Sequence, residues 1–147
     1  MKKIFFLILL STTISLAQKK SSLSSTPSSL DTIVLAGGCY WCVEAVYENL
    51  KGVQKVVSGF AGGTVKNPSY EAVSSGTTGA AEVVQITFNK NETNLDEILK
   101  VFFTVHDPTT LNRQGADVGT QYRSAIFYKN EAQKKAGQQI IQALTKA

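Results

Sequence analysis

Residues 31–52 read DTIVLAGGCYWCVEAVYENLKG, and this stretch decides the fold class of the chain. Its first third is an apolar, partly β-branched run that is typical of a buried strand. Gly37 and Gly38 then mark a turn, and apolar side chains recur behind them at helical spacing. The stretch therefore predicts a strand that passes directly into a helix over residues 39–51, which Gly52 ends as a C-terminal glycine.

The rest of the chain continues to alternate between strand and helix patterns. Residues 82–88 alternate strictly, so Glu82 shares one strand face with apolar side chains. Asn94 is a suitable N-cap, and Glu97 completes a capping box. The other predicted elements are strands over 53–60 and 123–128, a helix stopped at Asp107-Pro108, a polar loop over 111–121, and a final helix over 131–144 with Ala136, Ile140, Ile141 and Leu144 inward. This order predicts an α+β fold, a two-layer α/β sandwich with a ferredoxin-like split β-α-β core.

The N-terminal residues have a different character from the rest. Two lysines, a short apolar run and the small residues around Ala17 are typical of a secretory signal peptide. We predict a signal peptide over 1–17, a flexible Ser- and Lys-rich tether over 18–30 and one folded domain over 31–147. The apolar run is far shorter than the ~20 residues of a spanning helix. Stable membrane insertion is therefore not expected, and the predicted location is periplasmic or secreted.

Composition limits the classes of partner. The 147 residues suffice for one ordinary domain, and 43% of them are hydrophobic. The formal net charge is only +4, and no basic stripe is interleaved with aromatic side chains. Nucleic acid is therefore not an expected partner, and the scattered lysines are interpreted as a solvated surface. We expect a monomer.

Cys39 is the first candidate for chemistry, because it opens the predicted helix directly after the two glycines. A helix N-terminus carries about half a positive charge and unpaired N–H groups, which both favour a thiolate over a thiol. Gly37 and Gly38 are expected to let a substrate approach the backbone closely. The alternative is a buried structural cysteine, but the position favours a nucleophile.

Cys42 follows one helical turn later, within disulfide reach of Cys39. It is a candidate resolving cysteine, and the alternative is a small side chain packed against the sheet. A disulfide that closes so short a loop constrains little of the unfolded chain. The spacing therefore favours a chemical role over a structural disulfide. A structural zinc site needs about four ligands. The sequence offers only these two cysteines and one histidine, His106, so no metal is expected.

Three further side chains are candidates. Tyr40 and Trp41 follow the nucleophile and can form an apolar pocket for a small methylated group, with ordinary core packing as the alternative. Glu82 lies on an apolar strand face, where desolvation raises the pKa of a carboxyl group and suits it to general acid catalysis. The alternative for Glu82 is a strand-end side chain that reaches solvent.

Ordered motifs over most of the chain resemble those of the A-type peptide methionine sulfoxide reductases. The first is Gly38-Cys39-Tyr40-Trp41, with Glu44 shortly after it. The others are SGFAGG at 58–63, PSYE at 68–71, TGAAE at 78–82, FFTVHDPT at 102–109, NRQG at 112–115 and DVGTQYRSAI at 117–126. Members of this family reduce methionine S-sulfoxide, free or in proteins. The resemblance implies the same oxidoreductase activity, with no cofactor and with a thioredoxin-like or dithiol electron donor.

The resemblance also implies a role for each candidate. Cys39 attacks the sulfoxide sulfur and becomes a sulfenic acid, while Glu82 protonates the sulfoxide oxygen. Cys42 is then the expected resolving thiol. The remaining implied roles are hydrogen bonds to the sulfoxide oxygen from Tyr70 and Tyr122, supported by Asp117, and a cradle for the S-methyl group from Tyr40 and Trp41.

The sequence departs from the family pattern at four positions and at its end. Tyr40 and Phe60 stand where Phe and Tyr are common, Ala80 where His is usual, and Cys42 where most members carry Gly. Because Ala80 cannot hydrogen-bond, a different tuning of Glu82 is expected. Family members normally continue with a further strand and a Tyr-His-Gln segment, whereas this sequence stops at Ala147. The C-terminal part of the family domain is therefore predicted to be missing.

Two other functions are open on the residues alone. A thioredoxin-like thiol-disulfide oxidoreductase that uses Cys39 and Cys42 would reduce disulfides without turning over sulfoxides. The sequence carries no recognisable thioredoxin pattern around the pair. A non-catalytic exported binding domain would have unreactive cysteines.

Overall fold

The computed structural model describes residues 28–146, so the predicted signal peptide and most of the predicted tether lie outside the described residues. The strands are β1 (Leu30–Gly37), β2 (Val53–Ala61), β3 (Ala81–Asn89), β4 (Arg113–Gln114), β5 (Asp117–Val118) and β6 (Ser124–Phe127). The helices are α1 (Tyr40–Tyr47), α2 (Tyr70–Ser74), α3 (Leu95–Val105) and α4 (Glu131–Thr145), with a 3₁₀ turn at Thr120–Tyr122. No helix in this part of the chain is long and apolar enough to cross a membrane.

The main sheet has four strands in the order β2-β3-β1-β6, and every neighbouring pair is antiparallel. The first and third long strands are therefore central, as in a ferredoxin-like split β-α-β unit. β4 and β5 form a separate two-stranded hairpin. The predicted α+β fold class is confirmed.

The main core lies between the sheet and its helices. On β3, Val84, Ile86 and Phe88 all point into it, as the strict alternation predicts. Leu35 of β1 lies opposite Val84 in the register of the two central strands. From the helical layer the core takes Val43 and Tyr47 of α1 and Ile98, Leu99 and Phe102 of α3.

The opposite face of the sheet has a smaller core. Ala36 of β1 and Ala81 and Val83 of β3 are buried there, with Phe127 of β6 packed against them. The 3₁₀ turn contacts β3, and within it Gln121 donates a hydrogen bond to the carbonyl of Ser74 in α2. This segment links α2 to the sheet beside the end of β3 where Glu82 lies.

Helix α1 is shorter than predicted. It ends at Tyr47 rather than near residue 51, and the amide of Asn49 donates to the carbonyl of Ala45. This side-chain hydrogen bond occupies a backbone carbonyl in the last turn of the helix, and the chain then turns into β2. Gly52 has a φ of +85° and packs against Thr93, so it serves the turn before β2 and does not cap the helix.

Helix α3 begins as predicted, although its cap is simpler than a capping box. The side chain of Asn94 accepts a hydrogen bond from the backbone N–H of Glu97 at 3.0 Å. The Glu97 carboxylate pairs with Lys100 at 2.7 Å instead of reaching back to the cap. An ion pair one turn along the helix competes for the same carboxylate, so only half of the reciprocal pattern forms.

The packing of α4 differs from the prediction. Ala136 and Ile140 pack against the main core, as predicted, but Ile141 and Leu144 are about half exposed. The face that is fully buried carries Gln133 and Gly137. Gln133 donates to the carbonyl of Thr32 at 2.7 Å, so a polar contact to β1 fixes the start of the helix.

Candidate active site

The site is centred on Cys39, which joins β1 to α1. Cys39 is the N-cap residue of α1, and its side chain makes no capping hydrogen bond. The thiol is free and half-buried. Backbone N–H groups of Cys42 and Val43 bond back to the Cys39 carbonyl, so the sulfur sits at the first turn of the helix. The helix dipole acts on the sulfur at that position.

The two glycines before Cys39 allow the turn to pack closely against its neighbours. A Cβ on Gly37 would lie 2.9 Å from the ring of Phe102. Gly38 has a φ of +91°, and a Cβ there would lie 2.6 Å from the side chain of Gln114. The turn that aims Cys39 is therefore held between α3 and the β4–β5 hairpin.

Glu82 lies beside the start of α1. Its residue is 3% exposed, so it does not reach solvent. One carboxylate oxygen accepts a hydrogen bond from the backbone N–H of Tyr40 at 3.1 Å. Burial raises the pKa of Glu82 above its ordinary value, the bond from Tyr40 opposes this, and the charge of Asp117 adds to the rise. A buried carboxyl group whose pKa is raised is suited to give a proton to a bound substrate.

An aromatic wall flanks the thiol on one side. The ring of Tyr40 stacks on that of Phe60 with 5.8 Å between centroids, and Trp41 lies 5.6 Å from Tyr40. Trp41 is 65% exposed, so it is not a core residue. Phe60 lies opposite Glu82 in the register of β2 and β3. The wall therefore ends at the buried carboxyl group.

Three polar candidates converge on the same place from separate elements. Tyr122 reports this arrangement: burial raises its pKa, and the electrostatic effect of the neighbouring groups, with Glu82 first, adds to the rise. These groups are thus close enough to interact electrostatically. The structure brings every site residue that the sequence singled out to one end of the sheet.

All three residues lie in short regular elements, and for Asp117 this differs from the polar loop predicted over 111–121. Tyr70 is the first residue of α2, where Ser69 caps the helix by accepting from the N–H of Ala72. Asp117 lies in β5, and Tyr122 ends the 3₁₀ turn. A serine before a short run of helix formers was the available sequence signal for α2.

Cys42 lies one turn further along α1 and is exposed. A hydrogen bond with Cys39 raises the pKa of the Cys42 thiol, and the charge of Cys39 and partial burial add to the effect. Beside it is a small cavity of about 200 Å³, here named the Cys42 groove, lined by Gly37, Cys39, Cys42, Val43, Val46, Val105, Gln114, Gly115 and Asp117.

Gln114 and His106 connect the elements around the site through hydrogen bonds, which their positions in the sequence do not indicate. Gln114 bonds both the N–H and the carbonyl of Asp107, which ties the β4–β5 hairpin to the end of α3. His106 is buried between the carbonyl of Phe102 at 2.6 Å and the hydroxyl of Ser124 at 2.8 Å. Burial lowers the pKa of His106, so the ring is a neutral structural link.

Glu44 fixes the other side of α1. Its carboxylate accepts a hydrogen bond of 2.6 Å from the hydroxyl of Ser58 in β2. Ala80 is buried, and its Cβ lies against the backbone at Gly63. Its methyl side chain cannot hydrogen-bond to Glu82, which instead accepts from the N–H of Tyr40. Among residues 28–146, no group of three or more His, Cys, Asp and Glu side chains could hold a metal ion.

A free thiol at a helix start, with a buried carboxyl group close by, is an arrangement that suits cysteine-based chemistry. The family model for peptide methionine sulfoxide reductase matches residues 31–147. The chain belongs to that family.

Individual relatives agree with the family match. "Peptide methionine sulfoxide reductase MsrA" of Saccharolobus solfataricus is 56% identical over 117 residues, which cover 80% of this chain and 66% of that protein. Methionine sulfoxide reductase A of Corynebacterium diphtheriae has a TM-score of 0.76 at 34% identity, over 80% of this chain and 57% of that one. Mxr1 from Saccharomyces cerevisiae in complex with Trx2 has a TM-score of 0.57 at 25% identity, over 84% of this chain and 71% of that one. The chain spans 59–66% of the length of the curated relatives it matches.

Proposed function

We propose that the chain reduces methionine S-sulfoxide, free or in proteins, to methionine, with Cys39 as the nucleophile. One observation carries the proposal: the buried carboxyl group of Glu82 accepts the N–H of Tyr40, the residue next to the nucleophile. A nucleophile and an acid are thus held side by side at the end of an aromatic wall. Membership of the family supports the choice of substrate.

The first step transfers oxygen from substrate to enzyme. The Cys39 thiolate attacks the sulfoxide sulfur while Glu82 gives its proton to the sulfoxide oxygen. The sulfur–oxygen bond of the substrate breaks, methionine leaves, and Cys39 becomes a sulfenic acid as Glu82 becomes a carboxylate. Tyr70 and Tyr122 donate hydrogen bonds to the oxygen, and Tyr40 and Trp41 hold the S-methyl group.

The next steps return the enzyme to its reduced state. The Cys42 thiol attacks the sulfenic sulfur of Cys39, which releases water and leaves a disulfide. A thioredoxin-like dithiol then reduces that disulfide and is itself oxidised. The solved complex of Mxr1 with Trx2 supports this class of donor. We also propose that the chain acts outside the cytoplasm, because residues 1–17 have the pattern of a secretory signal.

A stereospecific assay tests the proposal. Purified protein is given the separated S and R sulfoxides of acetyl-methionine amide with dithiothreitol as reductant. The acetyl-methionine amide that forms is then quantified. Turnover of the S form alone is expected, and Cys39→Ser should abolish it because a hydroxyl is a far weaker nucleophile.

Other outcomes point to the alternatives. Reduction of a protein disulfide without any sulfoxide turnover would favour the thioredoxin-like oxidoreductase. Slow reaction of both cysteines with a thiol reagent across pH 6 to pH 9 would favour a non-catalytic domain. Retained activity in Cys39→Ser would show that the nucleophile is a different group.

A further inference from the structure

A cavity of about 280 Å³ shares the ring of Phe60 with the aromatic wall. It is here named the Phe60 cavity, and the rest of its lining includes Gly63, Val65, Asn67, Pro68 and Ala80. Neither the two cysteines nor Glu82 line it. The cavity is therefore a separate space, next to the one in which the sulfoxide group would be held.

Strands β2 and β3 fix two sides of this cavity. Phe60 lies opposite Glu82 in the register of the two strands, and Ala80 directly precedes β3. Ala80 is buried, and its Cβ lies against the backbone at Gly63. Phe60 and Ala80 are also two of the four positions at which the sequence departs from the family pattern. The two departures therefore meet in one place, beside the acid of the proposed reaction.

The loop after β2 forms the rest of the lining and leads to Tyr70. Gly62 has a φ of +73°, which turns the chain at the end of β2. The N–H of Thr64 donates to the carbonyl of Thr78 at 3.0 Å, which fastens the loop to the segment before β3. Asn67 follows in the loop, and α2 begins at Tyr70. The loop that lines the cavity thus also carries a residue of the sulfoxide site.

A residue close to the methionine sulfoxide in a polypeptide substrate can reach the Phe60 cavity. The ring of Phe60 lies 5.8 Å from the ring of Tyr40, which would hold the S-methyl group, and the Phe60 ring also lines the cavity. An extended chain advances about 3.3–3.6 Å per residue. Two residues and a side chain therefore span the distance from the methyl group, past Phe60, to the cavity.

The lining favours uncharged side chains. None of its residues is ionisable, and neither Lys66 of the loop nor Arg123 beside Gly62 lines it. Asn67 offers an amide, and the exposed Gly62 and Gly63 leave their backbone uncovered. An amide or hydroxyl side chain can exchange hydrogen bonds with such groups, whereas a charged one would lose water without gaining a counter-charge.

We propose that the Phe60 cavity binds the side chain of a substrate residue within two positions of the methionine sulfoxide, and that it prefers an uncharged, hydrogen-bonding side chain. Glutamine, asparagine, serine and threonine belong to this class. The inference rests on the proposed function, which supplies the substrate. It names the kind of polypeptide that the site binds best.

Equilibrium binding to a variant without the nucleophile tests the proposal. Trp41 is the only tryptophan of the sequence, so its fluorescence reports binding at the aromatic wall. Cys39→Ser is titrated with acetylated five-residue peptide amides that carry methionine S-sulfoxide in the centre and alanine elsewhere. Gln, Glu or Lys then replaces one alanine at a time. We expect one position at which the Gln peptide binds about three- to tenfold more tightly than the Glu and Lys peptides.

A matched pair of asparagine substitutions, made in the Cys39→Ser background, locates the effect. Asn67→Asp places a carboxylate in the cavity, and aspartate tolerates the φ of +49° at this position as asparagine does. Asn91→Asp makes the same change at an exposed position beyond the other end of β3. At the selective position, Asn67→Asp should favour the Lys peptide over the Glu peptide by about fivefold. Asn91→Asp should leave the order of the three peptides unchanged.

The outcomes separate this inference from the proposed function. Equal dissociation constants for the three replacements at every position would overturn the inference, as would tighter binding of a charged peptide than of the Gln peptide at the selective position. The same peptide order in Asn67→Asp and Asn91→Asp would also overturn it. Turnover of acetyl-methionine amide S-sulfoxide, which has no flanking side chain, judges the proposed function. Selective binding without that turnover would refute the proposed function and leave the assignment of the cavity intact.

Discussion

Replacement of Glu82 by Gln is the most informative single change at this site. The substitution keeps the size of the side chain, and its carbonyl oxygen can still accept the Tyr40 N–H that the carboxylate accepts at 3.1 Å. It removes only the proton that we propose Glu82 supplies. General acid catalysis contributes typically 10²–10⁴-fold to a rate. The barrier should therefore rise by about 3–5 kcal/mol.

The same change should make the folded protein more stable at neutral pH. Burial raises the folded-state pKa of Glu82 above the ordinary 4.5. The stability that this group contributes is therefore fully present below the unfolded pKa and is lost as the pH rises through the folded pKa. A glutamine does not titrate, so the free energy of unfolding of the variant, relative to the unsubstituted protein, should increase from pH 4 towards pH 7.

Two measurements check this pair of effects. Rapid-quench measurement of the methionine released in a single turnover gives the rate of sulfoxide reduction. Urea unfolding at several pH values gives the free energy of unfolding. Glu97→Gln is the control, because Glu97 is an exposed partner of Lys100 and should change neither quantity appreciably. Unchanged single-turnover rates in Glu82→Gln would show that the proton comes from elsewhere. If the stability of Glu82→Gln relative to the unsubstituted protein fell as the pH rises, the assigned direction of the pKa shift would be contradicted.

Three further substitutions each test a single residue or contact. Cys42→Ala should keep the first turnover but accumulate a sulfenic acid on Cys39, so recycling by thioredoxin drops, as mass spectrometry would detect. Gly38→Ala should lower the thermal midpoint, because left-handed backbone costs about 1–2 kcal/mol and the Cβ meets Gln114 at 2.6 Å. Gly79→Ala, with open space around its Cβ position, is the control and should lose less. Asn94→Ala should cost about 1 kcal/mol in chemical denaturation.

The fold could be predicted wherever periodicity reports burial. The alternation of β3 placed Glu82 with Val84, Ile86 and Phe88 on one face, and the core cluster contains those three apolar residues. The prediction is wrong for the C-terminal end of α1 and for the outer half of α4. Ile141 and Leu144 follow the helical repeat, yet no described element covers them, and periodicity cannot say which apolar stripe finds a partner.

The site was harder to predict than the core, because its parts meet only in three dimensions. Cys39 and Glu82 are recognisable by helix position and strand face. Tyr70, Asp117 and Tyr122 lie in short elements whose patterns resemble loops, so their convergence depended on the family resemblance. The role of Gly38 could not be read from sequence at all, since its neighbour Gln114 is distant along the chain.

The hydrogen bond from Tyr40 to Glu82 explains why the helix start serves two groups at once. The positive end of α1 acts on the Cys39 sulfur, but the N–H of Tyr40 points to the carboxyl group of Glu82. While Glu82 is protonated, that bond is an ordinary one between neutral groups. In the proposed reaction Glu82 gives its proton to the substrate, and the bond then becomes charge-assisted and roughly twice as strong. The contact therefore stabilises the developing carboxylate more than the starting acid, which is the condition for lowering the barrier and not only tightening substrate binding.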